Sequence, residues 1–177
     1  LDLSTGISPW SWLDAQAQPP SLQSWTRLPE EDDGLHEAAR ACYGAPALPV
    51  AGSQAALQAL PMLRNAPARV GLFHPSYAEH AEHWRGAGHT LVILPSGLEQ
   101  PPLETLDVMV VVNPNNPDGR RHARPTLLAW HERLQARGGW LVVDEAFADV
   151  QPELSLADQC ARPGLVVLRS LGKFFGL

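Results

Sequence analysis

Three side chains stand out by type and spacing: Asn116 within NPNNPDG, Asp144 closing the apolar run GWLVVD, and Lys173 within SLGKFF. They follow one another at intervals of about thirty residues, the length of one strand-plus-helix unit. Lys173 comes after an apolar run and before Phe174 and Phe175, so part of its stem is enclosed, although a lysine on the surface is the ordinary alternative. Enclosure favours a neutral amine, which is what Schiff-base chemistry uses. Asp144 sits where strand-end acids are commonly solvated, metal-binding or nucleophilic. An aspartate entering from a buried strand stays ionised only beside a cation or hydrogen-bond donors, and a protonated heteroaromatic nitrogen is one such partner. Asn116 has two readings: its loop is made of residues that tight turns use, and its two prolines also suit holding an asparagine amide rigidly toward a ligand. The stretch AGSQAA (51–56) opens a helix whose first amides suit a phosphate, with Ser53 and Gln54 at that end; Gly-Ser-Gln serves equally as a plain helix start. Ser170, three residues before Lys173, supplies a hydroxyl for a nearby anion.

The elements that must position these groups alternate. Residues 1–34 are rich in Pro, Ser and Trp, show no sustained period and read as an extended arm. Leu35 to Tyr43 and the stretch after Gly52 read as helices. Then RVGLF (69–73), HTLVIL (89–94), DVMVVV (107–112), GWLVVDE and LVVLRS read as strands, with YAEHAEHWRGAG and RPTLLAWHERLQARG as helices between them. Runs that are apolar on both faces and separated by helices imply an α/β fold with a mostly parallel sheet covered on both sides. In such sheets, ligands bind beyond the carboxyl ends of the strands, which is where NPNNPDG, DEAFAD and SLGKFF fall.

Composition narrows the partners. The chain has 177 residues and a formal net charge of −6, so it lacks the basic field that draws nucleic acid or anionic membranes. No apolar run approaches the ~20 residues of a membrane span. The N-terminus lacks a basic segment ahead of an apolar one, and Cys42 and Cys160 have no ligand-like spacing and read as reduced, mostly buried thiols. These features place the chain in the cytoplasm. His80 and His83 sit at a spacing compatible with a metal but read as a solvated helix face, so no metal site is expected. Trp84, Trp130 and Trp140 read as packing residues, and EEDD as a solvated loop.

The ordered set AGSQ, NNPDG, VVDEAF and SLGK resembles the fold-type I, aspartate-aminotransferase-like pyridoxal-phosphate enzymes over most of the chain. That resemblance implies the large-domain architecture of three layers, α/β/α, over 35–177, with residues 1–34 as an arm and small-domain elements. The relatives are about twice as long, so a C-terminal small domain bearing the arginine for the substrate carboxylate is expected beyond this sequence. It further implies that Lys173 carries pyridoxal 5'-phosphate and that Asp144 pairs with its ring nitrogen. Asn116 would donate to the phenolic oxygen, Ser53, Gln54 and Ser170 would hold the phosphate, and Tyr77 would stack on the ring. A homodimer is implied as well.

Finer features, DLSTGISPW, RLPEEDDGL, VAGSQAALQALP and HPSYAEHAEHW, look like the threonine-phosphate decarboxylases of cobalamin biosynthesis. The resemblance implies decarboxylation of a phosphorylated amino acid, L-threonine O-3-phosphate, to (R)-1-aminopropan-2-yl phosphate. Ser8 in the arm and Asn116 would then lie on the substrate side. Histidinol-phosphate aminotransferases are the nearest alternative, but Leu28 and Phe147 occupy positions where they commonly carry tyrosine. A binding domain of the same descent without catalysis is the third reading.

Overall fold

In the computed structural model, residues 6–15, 20–28, 30 and 33–177 are described. Residues 2–5 of the arm motif, residue 29 of RLPEEDDGL and residues 31–32 of the acidic loop lie outside them. Five strands form one sheet: β1 (Arg69–His74), β2 (Thr90–Pro95), β3 (Val108–Val112), β4 (Trp140–Asp144) and β5 (Leu165–Leu168). Their order is β2-β1-β3-β4-β5, and every pairing is parallel. The helices are α1 (Leu22–Thr26), α2 (Leu35–Tyr43), α3 (Gly52–Met62), α4 (Ala78–Gly86) and α5 (Arg124–Gln135).

The central strand explains why the sheet is covered on both faces. All five residues of β3 are buried, and its side chains alternate between two cores. Met109 and Val111 join Leu141 and Val143 of β4 against Leu127, Trp130 and Leu134 of α5. Val108 and Val110 join Val70, Leu72 and Val142 against Leu60 of α3 and Trp84 of α4. Burying each such side chain contributes about 1.5–3 kcal/mol. Valine's stiff side chain also suits the pleated backbone. Helix α5 starts on Pro125 in its first turn, where no intrahelical N–H is needed, and buries Leu127, Trp130, His131 and Leu134, one stripe at helical spacing.

The three layers expected from the strand-helix alternation are therefore present. The tryptophans read as packing residues behave as such: Trp84 and Trp130 are buried, and half-buried Trp140 lies beneath the Arg64 guanidinium. Cys42 departs from expectation, because α2 packs no residue fully into the core and leaves this thiol exposed. No helix among the described residues is long and apolar enough to cross a membrane.

Candidate active site

The sheet order reverses between β1 and β3, since the chain steps from β1 to β2 on one side and returns to place β3 on the other. Loops leaving neighbouring strands in opposite directions open a crevice there, outside the carboxyl ends. The residues that follow β1, β3 and β4 meet at this point. Pro75 to Tyr77 come after β1 and Asn113 to Asn116 after β3, and Asp144 ends β4.

The asparagine-rich loop divides its work. Asn113 is fully buried and brackets the loop, donating from Nδ2 to the His122 carbonyl at 3.1 Å and accepting the His122 N–H at 2.8 Å. Asn115 donates to Asp118 at 2.7 Å and to the Pro75 carbonyl, and it accepts the Ser76 hydroxyl. Its bond to Asp118 is the main reason that carboxyl lies below its usual range. Turn and ligand readings of NPNNPDG thus fall on different residues, because Asn113 and Asn115 build the loop while Asn116 faces the crevice.

A cavity of about 250 Å³ lies at this switch point, walled by Gly52, Ser53, Gln54, Leu57, Tyr77, Val112, Asn116, Asp144, Ala146, Phe147 and Lys173. Asp144 is only 5% exposed. Its Oδ2 lies 2.8 Å from His80 Nε2 and its Oδ1 accepts the Ala146 N–H at 3.0 Å. Since a carboxylate only accepts, His80 carries its proton on Nε2. Lys173 Nζ sits 5.6 Å from the centre of the Phe147 ring, over its face. The arm closes on the same group: a Cβ at Gly6, whose φ is +62°, would meet the Phe147 ring at 3.1 Å. Ser8 donates its N–H to the Lys173 carbonyl at 2.8 Å, and Trp12 does the same to Phe175.

Helix α3 points its first turn at this cavity. Gly52 has a φ of +76°, a left-handed entry that glycine adopts without strain, and the amides that follow have no intrahelical partner. The Gln54 side chain also donates to the Tyr77 hydroxyl at 3.1 Å.

Behind the cavity, Glu145 is fully buried and holds the strand ends together. It accepts the Ser155 hydroxyl at 2.5 Å, the Leu156 N–H at 2.7 Å and Arg169 Nη1 at 3.0 Å. Arg169 also reaches Asp149 and stacks over the Tyr43 ring. Burial pushes the Glu145 carboxyl above its ordinary value, against these donors. A larger cavity, about 360 Å³, opens at the other end of the sheet between Leu63, Arg64, Asn65, Pro67, Ala68, Asp107 and Trp140. There Arg64 is spent on the Gly138 carbonyl and the Trp140 ring, and Asp107 accepts the Arg69 N–H, so the reactive groups gather at the first cavity instead.

Residues 41–177 match the sequence model of a family described as aminotransferase class I and II. The chain belongs to that family. Among its members, a threonine-phosphate decarboxylase of Pseudomonas aeruginosa is 59% identical over the whole chain, and one of a Sinorhizobium species is 42% identical. The chain spans about half the length of these two relatives, 53% and 54%. A histidinol-phosphate aminotransferase of Streptomyces avermitilis is 35% identical over 71% of the chain and 37% of its own length. In fold, the chain resembles the crystal structure of L-threonine-O-3-phosphate decarboxylase from Porphyromonas gingivalis. The TM-score is 0.70 at 24% identity, covering 83% of this chain and 49% of that one.

For this aminotransferase-family chain, the structure brings Ser53, Gln54, Tyr77, Asn116, Asp144 and Lys173 to one cavity. Ser170 is not part of its wall; its hydroxyl accepts the Gly172 N–H at 3.2 Å within the turn that leads to Lys173. Ser8 touches the site through its backbone, while its hydroxyl donates to the Trp10 carbonyl. The reading of His80 as part of a solvated face is overturned: it is 2% exposed and fixes Asp144. One turn along α4, Trp84 is also buried, and that pairing at helical spacing was the available signal. A second signal concerns the amine. Lys173 is the sole lysine of the chain, every other one of its 13 Lys and Arg residues being arginine.

Proposed function

We propose that this chain forms the lysine-bearing part of a pyridoxal 5'-phosphate-dependent threonine-phosphate decarboxylase. The observation that carries the reading is the convergence of Asp144, Lys173 and the first turn of α3 on one cavity. The donor set fits the group chemically: a buried carboxylate suits a protonated ring nitrogen, an amine suits an aldehyde, and helix amides suit a phosphate. Identity of 59% along the whole chain to a threonine-phosphate decarboxylase supports the substrate.

Lys173 would hold the cofactor, Asp144 would face its ring nitrogen and Asn116 its phenolic oxygen. Ser53 and Gln54 would meet the phosphate, with Ser170 as a further hydroxyl on the lysine's own loop, and Tyr77 would cover the ring. When bound, pyridoxal phosphate supplies an electron sink for the bond that breaks at the substrate's Cα.

The chain's own residues prepare that step. His80 and the Ala146 N–H orient the Asp144 carboxylate. The Phe147 face packs against Nζ of Lys173. Gly6 lets the arm lie close on that ring, with Ser8 and Asn116 on the substrate side. Residues 1–34 then act as the arm and 35–177 as part of the cofactor-binding large domain, in a cytoplasmic homodimer.

The assay that tests this reading supplies L-threonine O-3-phosphate and measures CO2 and (R)-1-aminopropan-2-yl phosphate. Formation of both supports it. Glutamate formed from histidinol phosphate and 2-oxoglutarate, without CO2 release, would replace it with an aminotransferase.

A further inference from the structure

Gln54 in the first turn of α3 and Tyr77 immediately before α4 both wall the cavity, and a polar chain joins them. Gln54 Nε2 donates to Tyr77 Oη at 3.1 Å and lies 3.5 Å from Glu79 Oε2. Its Oε1 is 3.2 Å from His83 Nε2. The Glu79 carboxylate only accepts, so it faces the Gln54 NH2 and leaves Oε1 toward His83, whose Nε2–H donates to it. Glu79, one turn earlier on α4 and 3.4 Å from the same His83 nitrogen, closes the group.

Tyr77 has a second contact, through its ring. Its ring meets His80 edge-on, with centroids 6.2 Å apart and planes at 83°. Tyr77 stands at the N-terminal boundary of α4 and makes no capping bond of its own there, so its side chain is available for these two contacts. His83 itself is not part of the cavity wall.

We propose that His83 is a positioning residue for this site: acting through the Gln54 amide, it fixes Tyr77 as a wall of the cofactor cavity. The proposal rests on the pyridoxal-phosphate reading of the site. It separates the two histidines that share α4, with His80 serving Asp144 and His83 serving Tyr77. A partly exposed polar cluster contributes little by itself, so the role of His83 shows in what it orders and not in global stability.

The test is pyridoxal 5'-phosphate affinity of the purified protein, followed by cofactor absorbance, in wild type, His83→Ala, Gln54→Ala and the double variant. Loss of one neutral hydrogen bond of ordering predicts about a fivefold weaker affinity for His83→Ala. In the Gln54→Ala background the same substitution is expected to change nothing further, and His83→Gln, which keeps an N–H donor, restores most of the loss. Equal losses in both backgrounds, or no loss in either, overturn the proposal. Should wild type bind no cofactor, the functional reading fails, and side-chain amide relaxation of Gln54 by NMR in the cofactor-free protein decides the clamp separately. An amide restrained in wild type and freed in His83→Ala supports it; equal mobility in the two overturns it.

Discussion

His80 Nε2 stands 2.8 Å from Asp144 Oδ2, with both side chains buried between α4 and the end of β4. A partner lost from a buried hydrogen bond costs the remaining group its solvation, about 1–3 kcal/mol. His80→Leu is therefore expected to destabilise the fold by about that amount. Because the cost arises at Asp144, it shrinks when Asp144→Asn is already present. Denaturant unfolding of the two single variants and the double variant measures this coupling, and strict additivity would contradict it.

Arg169 makes a second prediction, one that depends on pH. The Glu145 carboxyl lies above its ordinary value of 4.5 chiefly through burial, and Arg169 is one of the groups pulling it down. For a group raised on folding, the linked stability is fully present below the unfolded value and is lost as pH rises through the folded one. Arg169→Met raises the carboxyl further and leaves a buried charge short of a partner, a loss of about 3–5 kcal/mol near neutral pH. The deficit relative to wild type is expected to shrink on acidification below the folded value, where Glu145 is protonated. Unfolding curves at several pH values check it; a deficit that grows in acid would be the wrong sign.

His122 titrates in the opposite sense. Its ring stacks on Phe73 at 5.3 Å and packs on Trp130 at 4.9 Å, and burial, aided by the nearby Arg120 charge and opposed by Asp118, lowers its value from 6.5. A group depressed on folding contributes stability that is present above the unfolded value and lost as pH falls through the folded one. His122→Phe keeps the ring and removes the titration. The variant is expected to lose less stability than wild type between neutral pH and pH ~5, just below the ordinary histidine range. Thermal melts across that interval decide it, and parallel losses in both proteins would count against it.

Much of this could be read from the sequence. The five apolar runs became the five strands, and helix α2 spans Leu35–Tyr43 as its periodicity suggests. The residues gathered at strand ends did converge, because parallel strands deliver their loops to one edge of the sheet. What stayed hidden depends on partners distant in sequence. Glu145 resembles a solvated strand-end acid until Ser155, Leu156 and Arg169 are brought to it. His80 looks like a surface residue in a helix of mixed polarity, and only the packing of α4 on the sheet turns it toward Asp144, 64 residues away. The family resemblance implies Gln54 as a phosphate ligand, but its contacts with Tyr77 and with His83 of α4 come from a segment more than twenty residues away.

Lys173 is the centre of the proposed function, and the composition of the chain makes the decisive measurement simple. With a single lysine present, reduction by borohydride in the presence of pyridoxal 5'-phosphate, followed by peptide mass mapping, has one side-chain target. One pyridoxyl-phosphate group is expected, on the peptide containing Lys173, and none on that peptide in a folded Lys173→Ala variant. An unlabelled Lys173 in the folded wild-type protein, under conditions where added cofactor labels a reference enzyme, would contradict it.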